Sequence, residues 1–149
     1  MMEIHRILVP VDFSEHSQRA LDEAIGLAMT FRAEVHLLHC YQPYPLGAAA
    51  TSYDVVVPES YERAIRESAN TQLTRWRDKA RAQGVRVEKH FSADMPSHGI
   101  VALAAELPAD LIVIGTRGLT GFKHVLLGSV AERTVRLAPC PVMTVRPHD

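Results

Sequence analysis

IHRILVPVDFSEHSQRALDEAIGLAMTF, residues 4–31, begins as one kind of structure and ends as another. Ile7, Leu8 and Val9 are consecutive rather than alternating, the pattern of a strand buried on both faces of a parallel sheet. Asp12 lies just past the end of that run. From Ser14 onward the period changes, and Leu21, Ala24, Ile25, Ala28 and Phe31 form one helical stripe while Gln18, Arg19, Asp22 and Glu23 fall largely elsewhere. Ser14 is the expected N-cap, because its hydroxyl can accept a bond from an amide of the first turn. The unit is therefore strand, loop, amphipathic helix.

The same alternation continues down the chain. AEVHLLHCY (33–41) reads as a second strand, and residues 59–83 as a polar helix that stops at Gly84, with the single tryptophan, Trp76, packed inward. VRVEKHFS (85–92) is the third strand, residues 97–106 the third helix, and DLIVIG (110–115) the fourth strand. A fourth helix starts near Leu126, and PVMTVRP (141–147) is the fifth strand. Residues 43–58, PYPLGAAATSYDVVVP, carry turn residues without a helical period and read as a mobile loop or lid. Strands joined by helices imply parallel pairing with right-handed crossovers, hence an open, doubly wound α/β sheet with helices on both faces. Ligands of such sheets sit beyond the C-terminal strand ends where the strand order reverses. If the first and fourth strands are central neighbours, that crevice lies between VPVDFS and IGTRGLTG.

The 149 residues, 47% hydrophobic and 22% charged, suit one globular domain, residues 1–149, with one packed core. A formal net charge of −1 offers no general attraction to nucleic acid or anionic lipid, so any anion site is local. The apolar run at the start ends at Asp12, too short for a membrane span, and no signal peptide or anchor is read there. Two cysteines, Cys40 and Cys140, are too few for a secreted disulfide framework. Reduced thiols in a cytoplasmic protein are the simpler expectation, with a disulfide between them left open.

The segment IGTRGLTGFKHVLLGSV (114–130) is the candidate site. Gly115, Gly118 and Gly128-Ser129 are spaced by two and nine residues, ending at the mouth of a helix. Glycine lets backbone amides approach a ligand closely, and a helix N-terminus adds unpaired N–H groups that suit phosphate. The spacing is neither that of a P-loop nor that of a dinucleotide fingerprint. From the residues alone, a phosphate cradle and a connecting turn both remain open. Arg117 and Lys123 could neutralise phosphate or be ordinary exposed loop cations.

Residues 6–28, RILVPVDFSEHSQRALDEAIGLA, and residues 110–145, DLIVIGTRGLTGFKHVLLGSVAERTVRLAPCPVMTV, together with their separation, resemble the universal stress protein family, nucleotide-binding branch. The resemblance spans almost the whole chain and includes the Gly-x2-Gly-x9-Gly-Ser spacing. It implies a five-stranded sheet of order 3-2-1-4-5, of the adenine nucleotide alpha hydrolase-like kind, and binding of ATP or AMP in the crevice. It also implies a cytoplasmic stress-response protein that forms a homodimer through the last strand, Pro141 to Pro147. Carried over by position, Pro10, Val11 and Asp12 lie beside adenine and ribose, with the Asp12 carboxylate accepting from ribose hydroxyls. Capping of the following helix is the other role open to Asp12. His39 and Cys40 fall where backbone groups meet adenine, and Ile114 and Gly115 match the ribose-side turn. Gly118, Gly128, Ser129 and Val130 match the phosphate cradle. Ile114 stands where many members carry methionine, an apolar exchange.

Eight histidines raise a metal question, but His36 and His39 point to opposite strand faces and no His/Cys/Asp set has zinc spacing. Magnesium, Mg2+, is expected only as an ion carried with the phosphates. No general base with a recognisable partner is legible, so no catalytic residue is assigned and binding rather than turnover is the expected function. A slow ATP hydrolase or nucleotidyl-transfer enzyme is the first alternative. A nucleotide-free dimeric interaction protein is the second.

Overall fold

The computed structural model describes residues 1–41, 58–117 and 127–147. The elements are β1 (Arg6–Pro10), α1 (Glu15–Phe31), β2 (Glu34–Cys40), α2 (Glu59–Arg81), β3 (Val87–Ser92), α3 (Pro96–Glu106), β4 (Leu111–Gly115), α4 (Ser129–Leu137) and β5 (Val142–Val145). The strands form one sheet in the order β3-β2-β1-β4-β5. All four pairings are parallel, with Ile7 facing Val35 on one side and Leu111 on the other. The order expected from the resemblance is the order observed.

The consecutive apolar residues of β1 divide between two cores because successive side chains leave a strand on opposite faces. Ile7 and Val9 join Val35, Leu37 and Leu73 under α1 and α2. Leu8 instead joins Leu38, Ile112, Ile114 and Ile100, under α3 and α4. No side chain of the triplet Ile7-Leu8-Val9 is exposed at all. Full burial on both faces is why the run shows no alternation.

α1 is capped by Ser14, whose Oγ accepts from the Ser17 amide at 3.2 Å. Its buried stripe is Leu21, Ala24, Ile25 and Ala28. Phe31, expected on that stripe, is 44% exposed, because it is the last helical residue and the chain turns away through Arg32 in left-handed backbone. α4 begins three residues later than expected, at Ser129, with Gly128 as its N-cap. Trp76 is partly buried against the first core. No helix among the described residues is long and apolar enough to cross a membrane. The 43–58 loop reading, apart from Pro58, lies outside the described residues, as do Gly118 and Lys123.

Candidate functional site

Because β1 connects first to β2 and the chain later returns to β4 on its other side, the strand order reverses at β1. A cleft of about 270 Å³ opens there, above the C-terminal ends of β1 and β4. Pro10, Val11 and Asp12 line its middle. The Val11 amide continues the strand pairing by donating to the Leu38 carbonyl at 2.8 Å. Asp12 then turns the chain: its Oδ1 accepts from the Ser14 amide at 3.0 Å and from the Ser14 hydroxyl. Its own amide donates to Ser17 Oγ at 3.3 Å. Asp12 thus organises the start of α1 and also lines the cleft.

On the β2 side the wall is apolar, made by Leu38, Cys40, Pro96 and Ile100. The Cys40 thiol donates weakly to the Pro96 carbonyl, 3.8 Å away. Gly99 leaves space for the sulfur, since a Cβ there would lie 2.8 Å from Sγ. Burial, and secondarily the charge of Asp94, pushes this thiol up to about 12. It stays protonated at neutral pH and serves as wall, not nucleophile. His39, one residue earlier, is on the opposite face. Its ring leaves the cleft altogether and meets the Val11 carbonyl at 2.8 Å from behind.

On the β4 side Ile114, Gly115, Thr116 and Arg117 line the cleft, followed by the start of α4. Thr116 is buried, and its carbonyl accepts from the Gly128 amide at 2.6 Å. A Cβ on Gly128 would stand 3.1 Å from that same oxygen, so the glycine is what lets α4 abut the strand end. This alters the role expected of Gly128, whose amide is engaged by protein rather than turned to a ligand. The first intrahelical bond of α4 is from Glu132 to the Gly128 carbonyl, so the amides of Ser129, Val130 and Ala131 have no acceptor within the helix. No side chain among the described residues caps this end, and all three residues line the cleft.

Of the residues expected at the site, Pro10, Val11, Asp12, Cys40, Ile114, Gly115, Gly128, Ser129 and Val130 line one cleft, and Gly118 lies outside the described residues. Leu38, Pro96, Ile100 and Thr116 were not anticipated. Leu38 was open to inference, because it shares a strand face with Cys40. Pro96 and Ile100 come from a helix whose placement only the sheet order decides.

Below this region lies a second polar group that sequence spacing does not reveal. His36, buried on β2, meets Nε2 of His90 on β3 through its Nδ1 at 2.9 Å, and Glu34 Oε1 through its Nε2 at 3.0 Å. A carboxylate only accepts, so neutral His36 carries its proton on Nε2 and its Nδ1 accepts from His90. The His36 hydrogen bond, helped by the positive charges of Arg6 and Arg86 and opposed by burial, holds the Glu34 carboxyl below its ordinary value. Burial, and then the proximity of His36, lowers His90. Among the described residues no three His, Cys, Asp or Glu side chains gather to hold a metal ion.

Both shifts act in the same direction on stability. As pH falls below about 6.5 the unfolded chain takes up a proton at His90 before the folded one does, and lower still the unfolded Glu34 does so first. Stability is therefore expected to fall steadily on acidification from pH 7 to pH 4, with the upper part of the slope flattened in His90→Gln. Urea midpoints measured across that range provide the check; a profile identical in the variant would contradict it.

Comparisons with known proteins give the family and the fold. The universal stress protein family model matches residues 3–146. Universal stress protein YxiE of Bacillus subtilis is 34% identical over 146 residues, covering 95% of this chain and 99% of the relative. Among solved structures, universal stress protein UspA from Lactobacillus plantarum superimposes with a TM-score of 0.83 at 26% identity, over 97% of this chain and 99% of the other. A universal stress protein in complex with cAMP superimposes with a TM-score of 0.70 at 28% identity, over 97% and 98%.

Proposed function

The chain belongs to the universal stress protein family, and on that premise we propose that its cleft binds an adenine nucleotide, ATP or AMP. The observation that carries the reading is the pairing of opposite demands across one cleft. Asp12 lines the cleft at the end of β1, and the amides of Ser129, Val130 and Ala131, which have no acceptor within α4, border its β4 side. A carboxylate suits the ribose hydroxyls, and a helix N-terminus suits phosphate. The apolar wall of Leu38, Cys40, Pro96 and Ile100 suits a purine face. Arg117 adds positive charge beside the helix end. The relative solved with cAMP supports the nucleotide class.

The protein acts by binding rather than turnover, as a stress-response regulatory module in the cytoplasm. Asp12 is the sole carboxylate among the described cleft residues, so Mg2+ would enter with the phosphates, not through a protein site. A homodimer forms through Pro141 to Pro147. Supporting that, β5 is an edge of the sheet, and Val135 and Leu137 on the neighbouring α4 are 49% and 52% exposed.

Calorimetric titration of ATP, AMP and cAMP into the purified protein tests the reading, together with mass spectrometry of nucleotide released on denaturation. Saturable binding of at least one of the three, in mutual competition, is the expected result. A folded protein that binds none of them, and releases none, would overturn it.

A further inference from the structure

Val11 directly follows β1, and its two backbone groups are satisfied differently. The N–H donates to the Leu38 carbonyl in the manner of the ladder. The carbonyl has the His39 ring instead, with Nδ1 at 2.8 Å. A carbonyl oxygen can only accept, so His39 carries its proton on Nδ1. The imidazole extends the strand pairing by one bond, working from the face opposite the cleft.

The ring is held in turn by its neighbours. Phe13 lies 4.5 Å away by centroid and Phe91 5.9 Å. Phe13 reaches this position through a φ of 65°, a left-handed conformation that large side chains rarely adopt. Its other neighbour is Trp76 on α2, met edge-on at 5.4 Å. Strained backbone persists only where its surroundings over-determine it, and here the two aromatic contacts of Phe13, with His39 and Trp76, and the Ser14 cap beside it do so. Asp12 sits between the two fixed points, the Val11 carbonyl and the Phe13 turn.

We propose that His39 is a positioning residue for the nucleotide site: clamped by Phe13 and Phe91, its Nδ1–H fixes the Val11–Asp12 backbone and thereby aims the Asp12 carboxylate at the ribose. This rests on the reading of the cleft as a nucleotide site. It adds a side-chain role, exerted from behind, to the backbone role expected of His39.

Two substitutions separate the hydrogen bond from the packing. His39→Asn keeps a donor at nearly the position of Nδ1 but loses the ring, whereas His39→Phe keeps a ring between Phe13 and Phe91 but has no donor. Titration of AMP and ATP is expected to show roughly tenfold weaker binding by His39→Phe. For His39→Asn the loss is expected to stay within about threefold of the wild type. Urea midpoints should rank the other way, with His39→Phe the more stable of the two. Equal affinity in all three proteins, or Asn binding more weakly than Phe, would overturn the positioning role while leaving the nucleotide reading intact. A wild type that binds neither nucleotide would remove both. Independently of any variant, nitrogen-detected NMR of the wild-type imidazole must show the proton on Nδ1; an Nε2–H tautomer sinks the proposal.

Discussion

Asp12→Ala is expected to weaken nucleotide binding by roughly ten- to a hundredfold, the range for losing hydrogen bonds to a charged group. It should also cost about 1 kcal/mol of stability, as the loss of a helix-start contact does. The two effects come from different atoms. Oδ1 accepts from the Ser14 amide and hydroxyl and so fixes the first turn of α1. Asp12 also lines the cleft, and on the proposed reading its negative charge is what the ribose meets. Asp12→Asn tells them apart, since its amide oxygen can still accept from Ser14 while the negative charge is gone. The asparagine variant is expected to recover most of the stability but little of the affinity. Calorimetric titration and urea denaturation on the same preparations check this. Were both variants to bind as the wild type does, Asp12 would be a helix-start residue and nothing more.

How far such roles are legible beforehand depends on how local their physics is. The buried β1 strand, the Ser14 cap and the α1 stripe each follow from residues within a few positions of one another, and each stands where the sequence places it. Phe31 departs from its stripe because periodicity describes a helix face but not where the sheet beneath it ends. The pairing of His36 with His90 spans 54 positions and depends on the β2–β3 register, which places His90 opposite Leu38 and so on the same face as His36. Nothing in a short stretch encodes that register. Gly128 is the instructive case within the site. Its spacing marks it as special, yet spacing does not say whether a glycine serves a ligand or a neighbouring chain segment, and here the close approach is to the Thr116 carbonyl. His39 shows the reverse, a residue whose position suggests a backbone role while its side chain bonds the Val11 carbonyl from the opposite face.

Gly115→Val should destabilise the protein by about 1–3 kcal/mol, the usual cost of inserting bulk where packing is already complete. For a domain of this size that corresponds to a fall in Tm of roughly 2–12 °C. The cause is close approach. A Cβ on Gly115 would lie 3.0 Å from the His16 carbonyl oxygen, 3.1 Å from its carbon and 3.2 Å from its Cβ. Two of these three atoms are backbone of the first turn of α1, which cannot yield by a change of rotamer. That turn is also tied down by Ser14 and by the bond from the Asp12 amide to Ser17. Any retreat of His16 therefore drags the Asp12 turn with it, and nucleotide affinity should drop together with stability. Gly115→Ala places the same Cβ without the two further methyls and should show the same coupled losses at smaller size. Calorimetric melting with and without AMP measures both. A valine variant that melts and binds like the wild type would mean that the start of α1 can shift away from β4 at little cost, and that the Asp12 carboxylate is not held by the strand end beside it.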